Sequence, residues 1–373
     1  MIYLDYAANT PVDPEVLQCF VEETKGFIAN PNSTHPLGKE AKRRIDSITD
    51  RIAKLLFVKS NEIIYTSGAS EANNLAIKGL VHGYKNNGKH ILSTCLEHPS
   101  VSGALTYLQT QGYEIDLIDI TSDGLVDLEH LKELLRQDTV LVSICTVDSE
   151  LGVRQPIDEI GELLKAYPNC FFHTDATQAI GKIPLNLENV DCVTFTPHKF
   201  FGLNGTGVLI KKEEVILEPL IHGGTSTTIY RSGTPSLGLA ASIEKALGIA
   251  EREREQRYQY VLDISNQLKK RLISYQKVKI NSTKYSLPHI INLSVQGVKA
   301  GIFREALEEK DICVSIKSAC SVSSSPSRPV YAVTKDKKNA LCSWRISLSH
   351  LTTKEELELF LQEFDQCYKN LVQ

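Results

Sequence analysis

The sequence predicts an α/β protein: a large body built on a seven-stranded, mostly parallel sheet covered by helices on both faces, followed by a smaller α/β body. Three observations carry this. From residue 62 onward, short apolar runs rich in β-branched residues alternate with segments of helical period. A charged amphipathic stretch over 243–272 then interrupts the alternation. Beyond it, a shorter series of strand-like and helical segments reaches the C-terminus.

Taken in order, the first series places strands at 62–66, 90–94, 114–120, 139–147, 170–174, 192–196 and 207–211. Each gap is long enough for a crossover helix, which is what parallel pairing requires. Such a sheet binds ligands beyond the carboxyl ends of its strands, so the residues following each run are the first candidates for a site. The stretch 243–272 carries Glu251-Arg-Glu-Arg-Glu255 on its wet side, with Val261, Ile264, Leu268 and Leu272 at helical spacing, and reads as one long helix between two cores. The second series predicts strands at 289–295, 312–316 and 344–348 with helices at 300–310 and 354–371. The last helix is preceded by Thr352-Thr-Lys-Glu355, a capping-box pattern. Residues 321–329, Ser-Val-Ser-Ser-Ser-Pro-Ser-Arg-Pro, are too polar and proline-interrupted for a core element and read as a mobile loop.

Composition narrows the function. The chain has 373 residues, 42% apolar and 23% charged, with 41 basic against 45 acidic side chains. A net charge of −4 gives no basic field for direct nucleic-acid or membrane-surface binding. The N-terminus has no basic leader before an apolar stretch, and no run approaches the ~20 residues of a membrane span, so a cytoplasmic protein without a membrane partner is expected. Nine scattered cysteines contain no CxxC pair, and no histidines stand beside them at ligand spacing, so neither a disulfide framework nor a metal site is expected. No phosphate-binding GxGxxG or GxxxxGK[ST] motif follows a predicted strand, which weakens a nucleotide-binding reading.

The strand ends carry chemistry. Thr66-Ser-Gly68-Ala69-Ser70-Glu71 is a strand-to-helix turn whose free N–H groups and hydroxyls suit an anion, although a serine N-cap alone would explain it. One apolar strand ends in Asp175 and the next leads into Thr196-Pro-His198-Lys199. A carboxylate and an amine reaching one crevice suit pyridoxal 5′-phosphate, the lysine forming a Schiff base and the aspartate holding the pyridine nitrogen protonated. A structural Asp–Lys pair is the plainer alternative.

Seven motifs, in order and spacing, resemble those of the cysteine desulfurases of the class V, fold-type I pyridoxal phosphate enzymes. They are Tyr3-Leu-Asp-Tyr-Ala-Ala8, Thr66-Ser-Gly-Ala-Ser-Glu71, Glu97-His98-Pro99, Asp175-Ala-Thr-Gln178, His198-Lys199, Arg231-Ser-Gly-Thr234 and Ser318-Ala-Cys320. The resemblance spans essentially the whole chain. It implies a large cofactor-binding domain over 13–255 and a small domain made of 1–12 and 256–373, carrying a mobile loop over about 317–330. It implies that Lys199 is the Schiff-base lysine, Asp175 the pyridine partner and His98 the imidazole that stacks on the ring and shuttles protons. Gln178 is implied at the phenolic oxygen. Gly68, Ala69, Ser70, Thr196 and His198 are implied at the phosphate, with Thr234 reaching it from the other subunit of a homodimer. Arg345 would hold the carboxylate of L-cysteine. Cys320 would take the sulfur as a persulfide and pass it to an acceptor protein, an iron–sulfur scaffold or a thiolation enzyme. The long loop places the chain nearer the NifS/IscS-like branch.

Three departures matter. Where the family usually has Asn-Asn-Glu, this chain has Asp148-Ser149-Glu150. Ser149 is too short to reach both the cofactor and the substrate carboxylate, and the Asp148 charge would repel that carboxylate unless it points away. Lys317 replaces a glycine before Ser318. Thr225-Ser-Thr227 replaces a Gly-His-Glu-type segment. These departures keep open a related class V enzyme, a selenocysteine lyase or an aminotransferase, and a low-activity homologue that mainly binds a sulfur carrier.

Overall fold

The computed structural model describes residues 1–317 and 325–372; Cys320 lies outside the described residues. In chain order the first half holds β1 (Ile2–Tyr3), α1 (Pro14–Gly26), α2 (Pro36–Leu56), β2 (Ile63–Thr66), α3 (Ala69–Gly83), β3 (His90–Thr94), α4 (Pro99–Thr110), β4 (Glu114–Ile118), α5 (Leu128–Leu134), β5 (Thr139–Ser143), α6 (Ile157–Leu164) and β6 (Phe171–Asp175). The second half holds β7 (Cys192–Phe195), β8 (Gly207–Lys211), α7 (Leu237–Leu272), β9 (Val278–Ile280), β10 (Ile290–Val295), α8 (Ala300–Glu308), β11 (Ile312–Cys313), α9 (Arg328–Thr334), α10 (Lys337–Leu341), β12 (Ser343–Ser347) and α11 (Lys354–Leu371).

Seven strands form one sheet in the order β2-β8-β7-β6-β5-β3-β4. β8 runs antiparallel to both neighbours, and the remaining pairs are parallel. Central strands such as β3 and β5 are buried along their whole length, as a doubly covered sheet demands. β4 lies at the edge and exposes Glu114 and Asp116, charges that discourage further pairing. The strand expected over 139–147 stops at Ser143. Its backbone still follows β6 through Ile144 N to His173 O (3.1 Å) and Thr146 N to Asp175 O (2.9 Å), then bends into a turn at Asp148.

A second core gathers Ile2, Leu4, Phe303, Trp344, Phe360 and Phe364 around the three-stranded sheet β12-β10-β9. β1 pairs parallel with β11, a two-residue contact too short to show any period in sequence. α7 starts at Leu237, six residues before the expected start, because Ser236 Oγ accepts the Leu239 N–H (3.3 Å) as N-cap. Its first half packs Leu237 to Ala250 into the large core and its second half packs Val261 to Leu272 into the small one.

Two local expectations are corrected. The capping box of α11 uses Thr353 and Glu356, one residue later than expected, since the Thr352 hydroxyl is taken by the Ser349 N–H (3.1 Å). The polar stretch does not run as loop to Pro329: α9 begins at Arg328, with Ser327 as N-cap and proline in the first turn, where its missing N–H costs nothing.

Candidate active site

The carboxyl ends of the parallel strands surround a cavity of about 380 Å³. Lys199, Asp175, Gln178, His98, Ser70, Thr196, His198, Ser149 and Arg345 all line it, together with Gly68 and Ala69. Residues from Gly68 to Lys199 meet there because parallel strands deliver their C-terminal ends to one side, and Arg345 joins them from β12.

Lys199 sits at the end of a short helical turn, Pro197–Lys199, after β7. Thr10 staples this turn to the N-terminal segment: its Oγ1 donates to His198 O (2.9 Å) and accepts from Phe201 N (2.8 Å). The same staple brings Ala7 and Ala8 over the lysine, whose Nζ donates to their carbonyls at 3.0 and 2.6 Å. The N-terminal motif is therefore a wall of the site, reached by a chain that first bridges Asp5 to Ser347 beside β12.

Asp175, the last residue of β6, faces the cavity with its carboxylate held from behind. Oδ1 accepts from Thr177 N (3.0 Å) and Oδ2 from Asn73 Nδ2 (2.8 Å). His98 is the N-cap of α4, and Pro99 supplies the first helical position. Burial, with the nearby Lys199 charge, holds its imidazole below the usual histidine range against the pull of Asp175. Gln178 reaches the cavity, but its amide donates to Ala7 O (2.9 Å) and accepts from Lys182 Nζ (2.8 Å). Burial, with Lys199 and Arg345 as like charges, lowers the Lys182 amine to about 7.

α3 begins at Ala69, which lines the cavity, so its first N–H groups, without intrahelical acceptors, open on it. Gly207 allows this turn to lie on β8: a Cβ there would stand 2.5 Å from the Gly68 carbonyl carbon. Thr196 Oγ1 donates to Thr206 O (2.8 Å) and meets His198 Nδ1 at 2.9 Å. Burial pushes His198 down to about 4. Thr234 is exposed and does not line this cavity, although Arg231, three residues earlier, pairs with Glu71 at 2.9 Å.

Arg345 on β12 is 1% exposed and spans the two bodies. Nη1 donates to Ser149 O (2.6 Å) and Nη2 to Asp5 Oδ1 (2.7 Å), while Nε has no partner among the described residues. Asp148 turns away from the cavity. Oδ1 accepts the Glu150 N–H (3.0 Å), and Oδ2 accepts those of Leu151 (2.5 Å) and Gly152 (3.1 Å). Burial still raises its carboxyl to about 7 against those donors. Lys317 folds back on the far end of its loop, its Nζ donating to the Ser325 carbonyl and lying 3.0 Å from the Ser325 hydroxyl.

A second cavity of about 620 Å³ adjoins the first, sharing Leu96, His98 and Ser149, and is lined also by Glu97, Lys317 and Ser325 to Pro329. It brings His98 and the loop residues Lys317 and Ser325 to one cavity. Sequence reasoning missed Asn73 and Ser100, and gave no role to Asp5 and Glu97, although both stand in the motifs quoted from the sequence. Asn73 had one signal, an amide on the apolar face of a helix that otherwise buries Ala72, Leu75 and Ala76. No group of residues able to hold a metal ion, and no helix long and apolar enough to cross a membrane, occurs among the described residues.

Comparison with known proteins agrees with this geometry. The class-V aminotransferase family model matches residues 2–360. The mitochondrial cysteine desulfurase of Candida albicans is 37% identical over 374 residues, covering 98% of this chain and 76% of that one. The cysteine desulfurase IscS of Vibrio cholerae is 37% identical over 370 residues, covering 97% and 91%. A solved NifS-like protein superposes with a TM-score of 0.92 at 30% identity, covering 99% of this chain and all of the other. With its lysine, aspartate, histidine and arginine gathered in one cavity, the chain belongs to the cysteine desulfurases of the class-V aminotransferase family.

Proposed function

We propose that this protein is a pyridoxal 5′-phosphate-dependent cysteine desulfurase that converts L-cysteine to L-alanine and carries the sulfur away as a persulfide on Cys320. The observation that carries this reading is the convergence of Lys199, Asp175, His98 and Arg345 on one cavity.

The residues fit the cofactor. The cavity is lined by an anion-accepting helix start, a doubly held carboxylate and an amine. When bound there, pyridoxal phosphate supplies a reactive aldehyde and an electron-accepting ring. The chain's own residues do the rest. Gly68, Ala69 and Ser70 offer backbone N–H groups and a hydroxyl to the phosphate. Asp175 sets a carboxylate where the ring nitrogen needs a proton, and Asn73 and Thr177 hold it in place. The Lys199 amine donates to two carbonyls, which fix its direction. Arg345 presents a guanidinium, with Nε unengaged among the described residues, to the substrate carboxylate. Because Asp148 is turned onto three backbone N–H groups, it does not oppose that carboxylate, which favours cysteine over a reading built on an altered substrate.

The working unit in this reading is a cytoplasmic homodimer, with Thr234 completing the phosphate site of the partner subunit. The exposure of Thr234, and of Ile229 five residues earlier in the chain, is what supports this. The sulfur passes to an acceptor protein such as an iron–sulfur scaffold or a thiolation enzyme. The test is the mass of the Cys320 peptide after brief exposure to L-cysteine: one added sulfur, with equimolar alanine, is expected. C320A should keep the cofactor's visible absorbance and lose the transfer. Alanine without added sulfur on Cys320 would overturn the assigned carrier, and no alanine would overturn the reaction.

A further inference from the structure

Behind the cavity runs an unbroken hydrogen-bonded line from Asp175 to His98. Asn73 is 0% exposed, and its Nδ2 lies 2.8 Å from Asp175 Oδ2 and 2.9 Å from Ser100 Oγ. Ser100 Oγ in turn lies 2.8 Å from His98 Nδ1, and the Ser100 backbone N–H donates to the same nitrogen at 3.1 Å.

The hydrogens can be placed by elimination. An ionised carboxylate only accepts, so the Asn73 amide must turn its NH₂ toward Asp175; the reverse orientation would set two acceptors against each other. The second hydrogen of that NH₂ then goes to Ser100 Oγ, which must spend its own hydrogen elsewhere. The acceptor within reach is His98 Nδ1. That nitrogen already receives a backbone N–H, which cannot be turned round, so it carries no hydrogen. In a neutral imidazole the hydrogen is then on Nε2, the nitrogen left to the cavity that His98 lines.

We propose that Asn73 and Ser100 are positioning residues that lock His98 as the neutral Nε2–H tautomer, so that the ring gives a hydrogen bond into the cavity instead of taking a proton from it. Making an imidazolium would require a hydrogen on Nδ1, where two donors already point. The line also ends in an amide, which does not pass protons on, so it orients His98 and does not feed it. The charged groups acting on the ring are Asp175 at the end of β6 and Lys199 after β7, while the neighbouring Glu97 on its own segment is raised to about 8 by burial. Of these, Asp175 alone pulls toward the charged form through space, and the lock opposes it. In this chain a hydrogen-bonding role for His98 thus replaces the proton-shuttling role implied by resemblance. It rests on His98 lying in the cofactor cavity, not on cysteine being the substrate.

The test is long-range ¹H–¹⁵N NMR on the ¹⁵N-histidine-labelled holoenzyme, with H98Q used to assign the signals. His98 is expected to show a hydrogen on Nε2, a bare Nδ1 and no titration through neutral pH. In S100A one of the two donors to Nδ1 is lost. The His98 pKa should rise toward the ordinary histidine value, the acid limb of the kcat profile should move with it, and kcat at neutral pH should fall about threefold to tenfold. S100T, which keeps the hydroxyl, should restore all three. A hydrogen on Nδ1 in the parent protein overturns the proposal outright, whatever the variants do. Equal losses in S100A and S100T with an unmoved His98 titration would make the position one of packing alone, and would also overturn it. Loss of alanine formation in the parent enzyme would sink the desulfurase reading while leaving the NMR result to decide the lock.

Discussion

Arg345 Nη2 lies 2.7 Å from Asp5 Oδ1, an ion pair that joins the N-terminal segment to β12 across the wall of the cavity. The arginine side chain is 1% exposed and the aspartate 17%, so the guanidinium has a counter-charge before any substrate arrives. Removing one partner of a buried pair strands the other.

D5N is therefore expected to lower the stability of the substrate-free enzyme by about 3 kcal/mol. The increase in Tm on adding L-cysteine should become larger than in the parent, since the substrate carboxylate then supplies the missing charge. R345K should raise KM about tenfold or more, because a single ammonium does not reproduce the planar fork. Its cofactor absorbance should be unchanged. Steady-state kinetics with differential scanning fluorimetry checks both variants, and an unchanged KM in R345K would remove the arginine from the substrate site.

Glu97 is buried against the second cavity, with Oε1 accepting from Thr94 Oγ1 (2.8 Å) and Cys145 N (3.0 Å) and Oε2 without a partner among the described residues. Burial, the largest cause, raises its carboxyl to about 8 from an unfolded value near 4.5. A carboxyl that holds its proton more tightly when folded contributes stability fully below pH 4.5 and loses it as pH rises to about 8. Against E97Q, which cannot ionise, the parent should lose on the order of a few kcal/mol between pH 5 and pH 8. Denaturant melts of the two proteins at both pH values measure this, and parallel pH dependences would show that Glu97 does not titrate in this window.

Gly207 opens β8 directly beneath the turn that starts α3, where a Cβ would meet the Gly68 backbone at 2.5 Å. Neither side of that contact is a flexible side chain, so G207A must move the turn. A cost of about 1–3 kcal/mol in stability is expected, as for other overpacked sites. Pyridoxal phosphate should also bind at least tenfold more weakly, since the displaced N–H groups are those offered to the phosphate. Absorbance titration of the apoprotein gives that constant, and native affinity in G207A would show that the anion end does not depend on this close packing.

Much of this architecture could be read before the structure. β3 and β8 fall where the β-branched runs place them, and Lys199, Asp175 and His98 follow strands because parallel sheets put their ligands there. Periodicity and strand-end position are local properties, so they survive in a one-dimensional reading. β1 did not register, since two residues have no period and Ile2 is a strand only because Ile312 lies beside it.

The direction in which a polar side chain points is a different kind of property. Asp148 looked like a rival to the substrate carboxylate, and the turn made by Glu150, Leu151 and Gly152 draws it away. Asn73, Ser100 and His98 stand at residues whose spacing shows no motif, yet three hydrogen bonds settle which ring nitrogen carries a hydrogen. Hydrophobic pattern decided the fold class, the residue types at the strand ends pointed to the chemistry, and the resemblance of seven motifs in register implied the family, because those depend on residue type and short-range order. Tautomer, counter-charge and carboxylate orientation waited for the folded chain, because each depends on donors and acceptors that only long-range packing brings within about 3 Å of each other.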